Sequence, residues 1–210
     1  MLSKVVSAAG KVGESALGVV GVRVGTEEPA HTTRRLTSNV EIRRYGPRIA
    51  AETTVAGSDE EKARSDGFRR LAGYIFGGNR AGEKVAMTAP VSQAVSRGQK
   101  IAMTAPVSTS GGDGGWVIRF FMPSKWTMAT LPTPNDDRVR LVEVPTESVA
   151  ALRFSGSRGH DAIAARSAEL LKTLSENGVE PEGDPVSWFY DPPWTLSFRR
   201  RNEVVVPITD

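Results

Sequence analysis

The side chains that could carry chemistry in this sequence are few. Its 210 residues include two histidines, His31 and His160, and no cysteine. Thiolate nucleophiles, cysteine-ligated zinc, iron–sulfur clusters and three-histidine metal sites are therefore excluded. The H-E-x-x-H and G-x-S-x-G catalytic motifs are absent as well. The sequence therefore favours a binding protein over an enzyme.

The charged residues are nearly balanced. There are 27 lysines and arginines against 24 aspartates and glutamates, which gives a formal net charge of +3. This excess is too small to predict a nucleic-acid partner. Short basic clusters stand at 43–44, 69–70 and 199–201. We interpret them as solvent-facing groups or as contacts for the acidic groups of a ligand.

An internal similarity predicts the elements that position these side chains. Residues 40–57 align without a gap on residues 139–156. In each copy, two stretches of alternating apolar and polar residues flank a turn, which predicts a β-hairpin. A segment with helical spacing of its apolar residues follows each hairpin and stops at Gly77 or Gly178.

The predicted fold class is α+β, built from two fused strand–strand–helix–strand repeats at about 37–132 and 133–210. Such a pair gives a curved antiparallel sheet with two helices against it. Met87 and Met103 occupy equivalent places in two nearly identical nine-residue segments and are expected in the core. The further strands are expected at 84–92, 100–108, 116–122, about 186–190 and 203–208.

Residues 1–36 form a leader and a linker. Apolar residues recur every three or four positions in 1–25, which is typical of an amphipathic helix, but charges and glycines interrupt them and equally suit a disordered leader. Neither a secretory signal nor a membrane-spanning helix fits this pattern. Membrane contact through 1–25 is not the favoured interpretation. We expect a cytoplasmic protein that is a monomer or a weak oligomer.

Five motifs follow one another in order: EIRRYGP at 41–47, the AMTAPV pair, FMPSK at 121–125, YDPP at 190–193 and RRNEV at 200–204. Together they resemble the SOUL heme-binding family, and the resemblance runs from about residue 39 to 208. It implies the family's distorted antiparallel β-barrel with two long helices, as a single domain over 37–210. It also implies binding of heme or another tetrapyrrole, with no established reaction.

The resemblance further implies where the ligand would bind. The family's cleft is shallow and apolar, and it lies between the first helix and the loop before the last strand. Arg69 or its neighbour Arg70 would orient the ring through its propionates. The cofactor-binding residues carried over onto this chain are Ser65, Phe68, Arg69, Ala72, Tyr190 and Trp194.

The iron ligand is where the chain departs from its relatives. Some relatives have a histidine within EIR-x-YGP, proposed to ligate the iron, and this chain has Arg44 there. A guanidinium stays protonated and has no lone pair to offer, so ligation through that position is excluded. The remaining candidates are Tyr190, as a phenolate, and His160, which is expected away from the cleft. His31 is expected to be exposed.

Burial of the ring is expected to be enough for binding. A porphyrin that loses about 300 Å² of apolar surface gains about 7 kcal/mol. The costs of association reduce this to a roughly micromolar affinity. The sequence therefore predicts a loose tetrapyrrole binder that acts as a carrier, buffer or scavenger. Two alternatives stay open: a heme-degrading monooxygenase, and an effector-binding module for bulky apolar cations.

Overall fold

The computed structural model describes residues 26–57, 59–96, 115–191 and 195–209. The leader 1–25, the second AMTAPV copy with Met103, and Trp194 lie outside these residues. The helices are α1 (Glu60–Ile75) and α2 (His160–Glu176), and a 3₁₀ turn covers Ser197–Arg199. The strands are β1 (His31–Arg35), β2 (Val40–Tyr45), β3 (Arg48–Ala56), β4 (Val91–Ser96), β5 (Gly115–Phe121), β6 (Arg140–Val144), β7 (Glu147–Phe154), β8 (Val186–Phe189) and β9 (Asn202–Pro207).

The nine strands form one curled antiparallel sheet in the order β1-β2-β7-β9-β8-β4-β5-β3-β6. The sheet and the two helices confirm the predicted α+β class with a distorted, barrel-like sheet. Helix α1 packs on β3 and β5, and α2 packs on β7 and β9. In the described part of the chain, neither helix is long and apolar enough to cross a membrane.

The predicted hairpins are wrong. Strand β2 pairs with β7 and β3 pairs with β6, so the two strands of each copy pair with strands of the other copy. Two-residue hairpin turns of the favoured types need a positive φ, and Gly46 does not have one. The chain therefore continues from β2 into β3 instead of folding back. The internal repeat itself stays a prediction.

The strand predicted at 84–92 is also shorter than expected. Strand β4 begins only at Val91, directly after Pro90, which has no N–H to donate to a ladder. The backbone N–H of Ala89 donates to Glu27 O at 3.0 Å, and that of Val85 donates to Ile75 O at 2.8 Å. This segment is therefore held by the linker and by α1. Met87 is half-buried against the core below α1, as expected.

Local sequence explains where α1 begins, ends and packs. The side chain of Asp59 accepts a hydrogen bond from Lys62 N and caps the first turn, whereas Ser58 lies outside the described residues. Gly77, with φ of 109°, ends the helix. A Cβ at Gly67 would lie 2.8 Å from Cγ1 of Ile118, so glycine is needed for α1 to approach β5 this closely.

Candidate functional site

Helix α1 presents the four residues that the sequence assigned to the cleft. Positions 65, 68, 69 and 72 are three or four residues apart and share one side of the helix. Ser65 and Arg69 are exposed, whereas Phe68 and Ala72 are half-buried. The ring of Phe68 meets Phe120 edge-on, with 5.2 Å between centroids. This side of α1 therefore has an apolar floor with polar groups around it.

The two arginines expected to orient a ligand differ in their surroundings. Arg69 donates to Asp66 Oδ1 at 3.1 Å and to Ser65 Oγ at 3.4 Å, and its side chain is 75% exposed. Arg70 donates to Thr53 Oγ1 at 2.6 Å and to Thr54 O at 3.1 Å. Arg70 is therefore held against β3, and Arg69 is the one that extends into solvent.

Tyr190 lies in the core, directly after β8, and not on an open cleft wall. Its hydroxyl donates to Glu203 Oε2 at 2.7 Å, and the Arg201 guanidinium lies 3.8 Å from its ring centroid. Burial, together with the negative charge of Glu203, raises the pKa of Tyr190 well above its ordinary value. Its phenol is therefore neutral. Tyr190 packs in a different core cluster from Phe68, so the structure does not bring these two predicted residues together.

Glu203 is the centre of a buried charge network that the sequence did not reveal. It is 0% exposed, and Arg43 donates to both of its carboxylate oxygens, at 2.7 and 3.0 Å. Arg201 donates to Oε1 at 2.9 Å. Burial alone would raise the pKa of Glu203, but Arg43 and Arg201 outweigh it and hold that pKa below its usual value. Interpreting Arg43 as solvent-facing was wrong, because it is only 3% exposed and pairs with this carboxylate.

A second arginine group lies where α1, β8 and the start of α2 meet. The guanidinium carbons of Arg64 and Arg158 lie 4.8 and 5.5 Å from the ring centroid of Phe189. Arg64 donates to Arg158 O at 3.4 Å, and Arg158 donates to Asp191 O at 3.2 Å. We call Arg64, Arg158 and Phe189 the arginine–phenylalanine cluster. It adjoins the segment that leads to Trp194.

The charges of this cluster are partly paired, because Glu60 Oε1 lies 3.9 Å from Nη1 of Arg64, and Asp191 and Glu61 act on Arg158. Burial lowers the pKa of Arg64, although Glu60 and Glu61 oppose the effect. Burial and the nearby charges of Arg200 and Arg64 lower the pKa of Arg158 to about 10. The acceptor of Arg158 is a backbone carbonyl, which does not neutralise its charge. An arriving anion would therefore be stabilised here.

The histidines lie at two different places. Nδ1 of His160 is 3.4 Å from Glu60 Oε2, so the start of α2 adjoins the start of α1. The two helices thus meet at their N-terminal ends, and the position of His160 away from the cleft stays a prediction. His31 is exposed, as expected, and stacks on Tyr45 with 4.8 Å between centroids. Among the described residues, no group of three or more metal-ligating side chains is placed to hold a metal.

Residues 26–207 match the family described as SOUL heme-binding protein. The chain belongs to this family. The match begins at the linker and includes both helices and all nine strands. It confirms the resemblance based on the EIRRYGP, AMTAPV, FMPSK, YDPP and RRNEV motifs.

The relatives found for this chain have low sequence identity to it. Heme-binding protein 2 from Mus musculus is 30% identical over 138 residues, which are 66% of this chain and 62% of the mouse protein. Heme-binding protein 1 from Sus scrofa is 28% identical over 151 residues, 69% of this chain and 70% of the pig protein. The chain thus spans less than two thirds of the mouse relative.

Solved structures share the fold at lower identity. The EcmrR C-terminal domain superimposes with a TM-score of 0.55 at 11% identity, covering 81% of this chain and 97% of that domain. An uncharacterized conserved protein from Listeria innocua superimposes with a TM-score of 0.53 at 12% identity. The match covers 81% of this chain and 92% of that protein. These similarities show that the SOUL fold of this chain is shared with proteins of very different sequence.

Proposed function

We propose that this protein binds heme or a related tetrapyrrole beside α1, as a carrier, buffer or scavenger. Phe68 and Ala72 would contact the ring, with Ser65 and Arg69 at its edge. Trp194 would cover it from the loop after β8, and Tyr190 would anchor that loop through its bond to Glu203. Membership of a heme-binding family and the names of its relatives support this assignment.

The observation that carries the proposal is the arginine–phenylalanine cluster. Heme combines a flat apolar ring with two carboxylates, and α1 offers matching groups on adjacent turns. Phe68 is four residues after Arg64, so the apolar floor and a partly buried guanidinium lie on neighbouring turns of one helix. The propionates would therefore meet Arg64 and Arg158, and Arg69 would add a weaker, solvent-exposed contact.

The charge network argues for an acidic ligand over an apolar cation. A site for cations would need a carboxylate with charge to spare. Glu203 is the fully buried carboxylate of the core, and it already binds both Arg43 and Arg201. Its charge is therefore compensated within the protein. In the arginine–phenylalanine cluster, by contrast, Arg158 donates to a backbone carbonyl and its pKa is lowered to about 10, so an acidic ligand would stabilise its charge.

Iron ligation is not needed in this proposal. Arg44 cannot ligate, and the Tyr190 phenol is neutral and already bonded to Glu203. We therefore propose that the protein recognises the ring and its acid groups, with little discrimination for the metal. About 7 kcal/mol from ring burial, less the cost of association, corresponds to a roughly micromolar dissociation constant.

The test is a titration with ferric heme and, separately, with iron-free protoporphyrin, following absorbance and tryptophan quenching. Similar micromolar affinities for both compounds are expected. The double variant Phe68→Ala, Trp194→Ala should lose about tenfold or more in affinity for each, because two aromatic contacts disappear. The matched control is Phe198→Ala, since Phe198 is 67% exposed on the 3₁₀ turn.

Two results would contradict the proposal. Unchanged affinity in the double variant would place the ligand elsewhere. Binding of heme alone, with a shifted Soret band, would show an iron ligand, and His160→Ala would then identify or exclude the imidazole beside α1. A Soret band that persists with added reductant and oxygen would support binding without degradation.

A further inference from the structure

A cavity of about 790 Å³ lies between the start of β3 and the segment that follows β5. Its size is in the range of small-molecule pockets. The apolar residues that line it include Ile49, Met122, Trp126, Met128 and Val144. Of the residues proposed to contact heme, those that the structure describes do not line it. It is therefore a separate candidate site.

Arg48 is the unusual residue of this cavity. Its side chain is only 8% exposed, and its guanidinium carbon lies 4.3 and 4.5 Å from the ring centroids of Tyr45 and Phe121. Nη2 donates to Glu147. In the described part of the chain, its buried Nε and Nη1 atoms have no hydrogen-bond partner. A buried guanidinium with unused donors is costly unless something accepts from them.

Trp126 supplies a second unused donor on the same cavity. Its ring is half-buried, and its buried Nε1 also lacks an acceptor among the described residues. Buried indole N–H groups usually find a partner. Arg48 and Trp126 line the same cavity, so an acceptor bound there would be adjacent to both residues.

We propose that this cavity binds a small, largely apolar molecule with an acidic oxygen group, whose oxygens accept from Arg48 and Trp126. The apolar lining would hold the body of the molecule, and hydrogen bonds to a charged donor favour an ionised acceptor. Carboxylates also lie on this cavity. Glu27 accepts from Ser124 N at 2.8 Å, Glu28 pairs with Arg201 at 3.1 Å, and Glu143 is exposed.

Arg48 is itself paired with Glu147, so its two unused donors, and not a free charge, decide the ligand. Glu28 is neutralised by Arg201, and the exposed Glu27 and Glu143 are screened by solvent. Burial of Arg48 lowers its pKa despite the proximity of Glu147, so a second negative partner would stabilise its charged form.

The test compares two fluorescent probes that share one ring system. These are 8-anilinonaphthalene-1-sulfonate, which has acidic oxygens, and neutral N-phenyl-1-naphthylamine, which has none. The full-length protein should bind the sulfonate about tenfold more tightly, and Trp126→Phe should reduce that preference by about threefold or more, since it removes one donor and keeps a ring. Arg48→Met should abolish the preference.

Three further measurements keep the proposal open to refutation. Gly46→Leu should weaken the binding of both probes, because Gly46 lines the cavity and a leucine there would occupy its space. A Cβ at Gly46 meets nothing within 4 Å, so the fold should accept the change. Phe68→Ala should leave the sulfonate preference unchanged, and calorimetry should give the same sulfonate affinity in heme-loaded protein. Equal affinity of the two probes for the unmodified protein, or an unchanged preference in Trp126→Phe, would overturn the proposal. Displacement of the sulfonate by heme would overturn the separation of the two sites without refuting heme binding.

Discussion

Arg43 and Arg201 meet a carboxylate in the core, whereas Arg64 and Arg158 meet an aromatic ring and backbone carbonyls at the junction of the two helices. In the core, Glu203 is bonded by both arginines and by Tyr190. At the helix junction, Arg158 bonds a carbonyl and has its pKa lowered to about 10. Both pairs are partly or wholly withdrawn from water, but only the core pair shares one buried carboxylate, whereas at the junction Arg64 lies 3.9 Å from Glu60 and Arg158 bonds a carbonyl.

The core pair and the helix-junction pair show two different roles of a buried arginine. A guanidinium bonded to a buried carboxylate holds strands together, here β2 with β9 across β7. A guanidinium without such a partner is stabilised further when an anion arrives. Removing charge from the core should therefore cost stability, and removing it from the helix junction should cost ligand affinity.

The largest expected effect comes from the core network. Glu203→Gln removes the buried carboxylate that Arg43 and Arg201 share, leaves Arg43 with Glu41 and Arg201 with Glu28, and should lower the free energy of unfolding by about 3–5 kcal/mol. Urea denaturation followed by circular dichroism measures it. Glu143→Gln is the control, because Glu143 is exposed and should change stability little. A loss below about 1 kcal/mol in Glu203→Gln would show that the network does not stabilise the core.

Lowering the pH should remove part of the same stabilisation from the unmodified protein. The pKa of Glu203 is below its usual value, so the folded state binds fewer protons here than the unfolded state. This carboxylate therefore stabilises the fold above its unfolded pKa of about 4.3, and the contribution is lost as the pH falls through the folded pKa. The difference in stability between the protein and Glu203→Gln should shrink from pH 6 to pH 3. A constant difference would contradict the assignment.

The sequence predicted the local elements better than it predicted which strands pair with each other. Helix α1 stops where Gly77 permits a positive φ, and that signal lies within the segment itself. The partners of β2 and β3 depend on strands about a hundred residues away, and alternation alone cannot choose among them. The hairpin prediction therefore failed although the strands on both sides of Gly46 are real.

The contrast between local signals and long-range contacts also holds for the heme cleft and the charge network. Phe68 and Ala72 were assigned to the cleft by the resemblance to the SOUL family, and their helical spacing agrees with a shared side of α1. Arg43 and Glu203 are 160 positions apart, so their bond could not be inferred from spacing. A charged residue directly before three strand-forming valines, as Glu203 is in 202–207, was the available signal. Arg158 reaches Phe189 only through the fold, and nothing near it in the sequence marks that contact.

A smaller loss of stability is expected from Tyr190→Phe. This change keeps the ring and removes the hydroxyl that donates to Glu203 at 2.7 Å. Unfolding free energy should fall by about 1–3 kcal/mol, because the carboxylate loses one of its donors. Affinity for ferric heme should fall only slightly, because the loop that leads to Trp194 loses this anchor, and the position of the Soret band should not change. A lost or shifted band would instead identify the phenolate as an iron ligand and move Tyr190 from the core network to the site.

The smallest effect should appear at the helix junction and only with an acidic ligand. Arg64→Met with Arg158→Met should weaken protoporphyrin binding about tenfold, or about 1.4 kcal/mol, since two charge-assisted contacts to the propionates are lost. The dimethyl ester of protoporphyrin keeps the ring and lacks the acids, so the double variant should bind it as the unmodified protein does. Arg138→Met is the matched control, because Arg138 is 68% exposed and pairs with Asp136. If the diacid and the diester lose affinity equally, the arginines support the fold of the cleft and do not read the propionates, and the contrast with the core pair disappears.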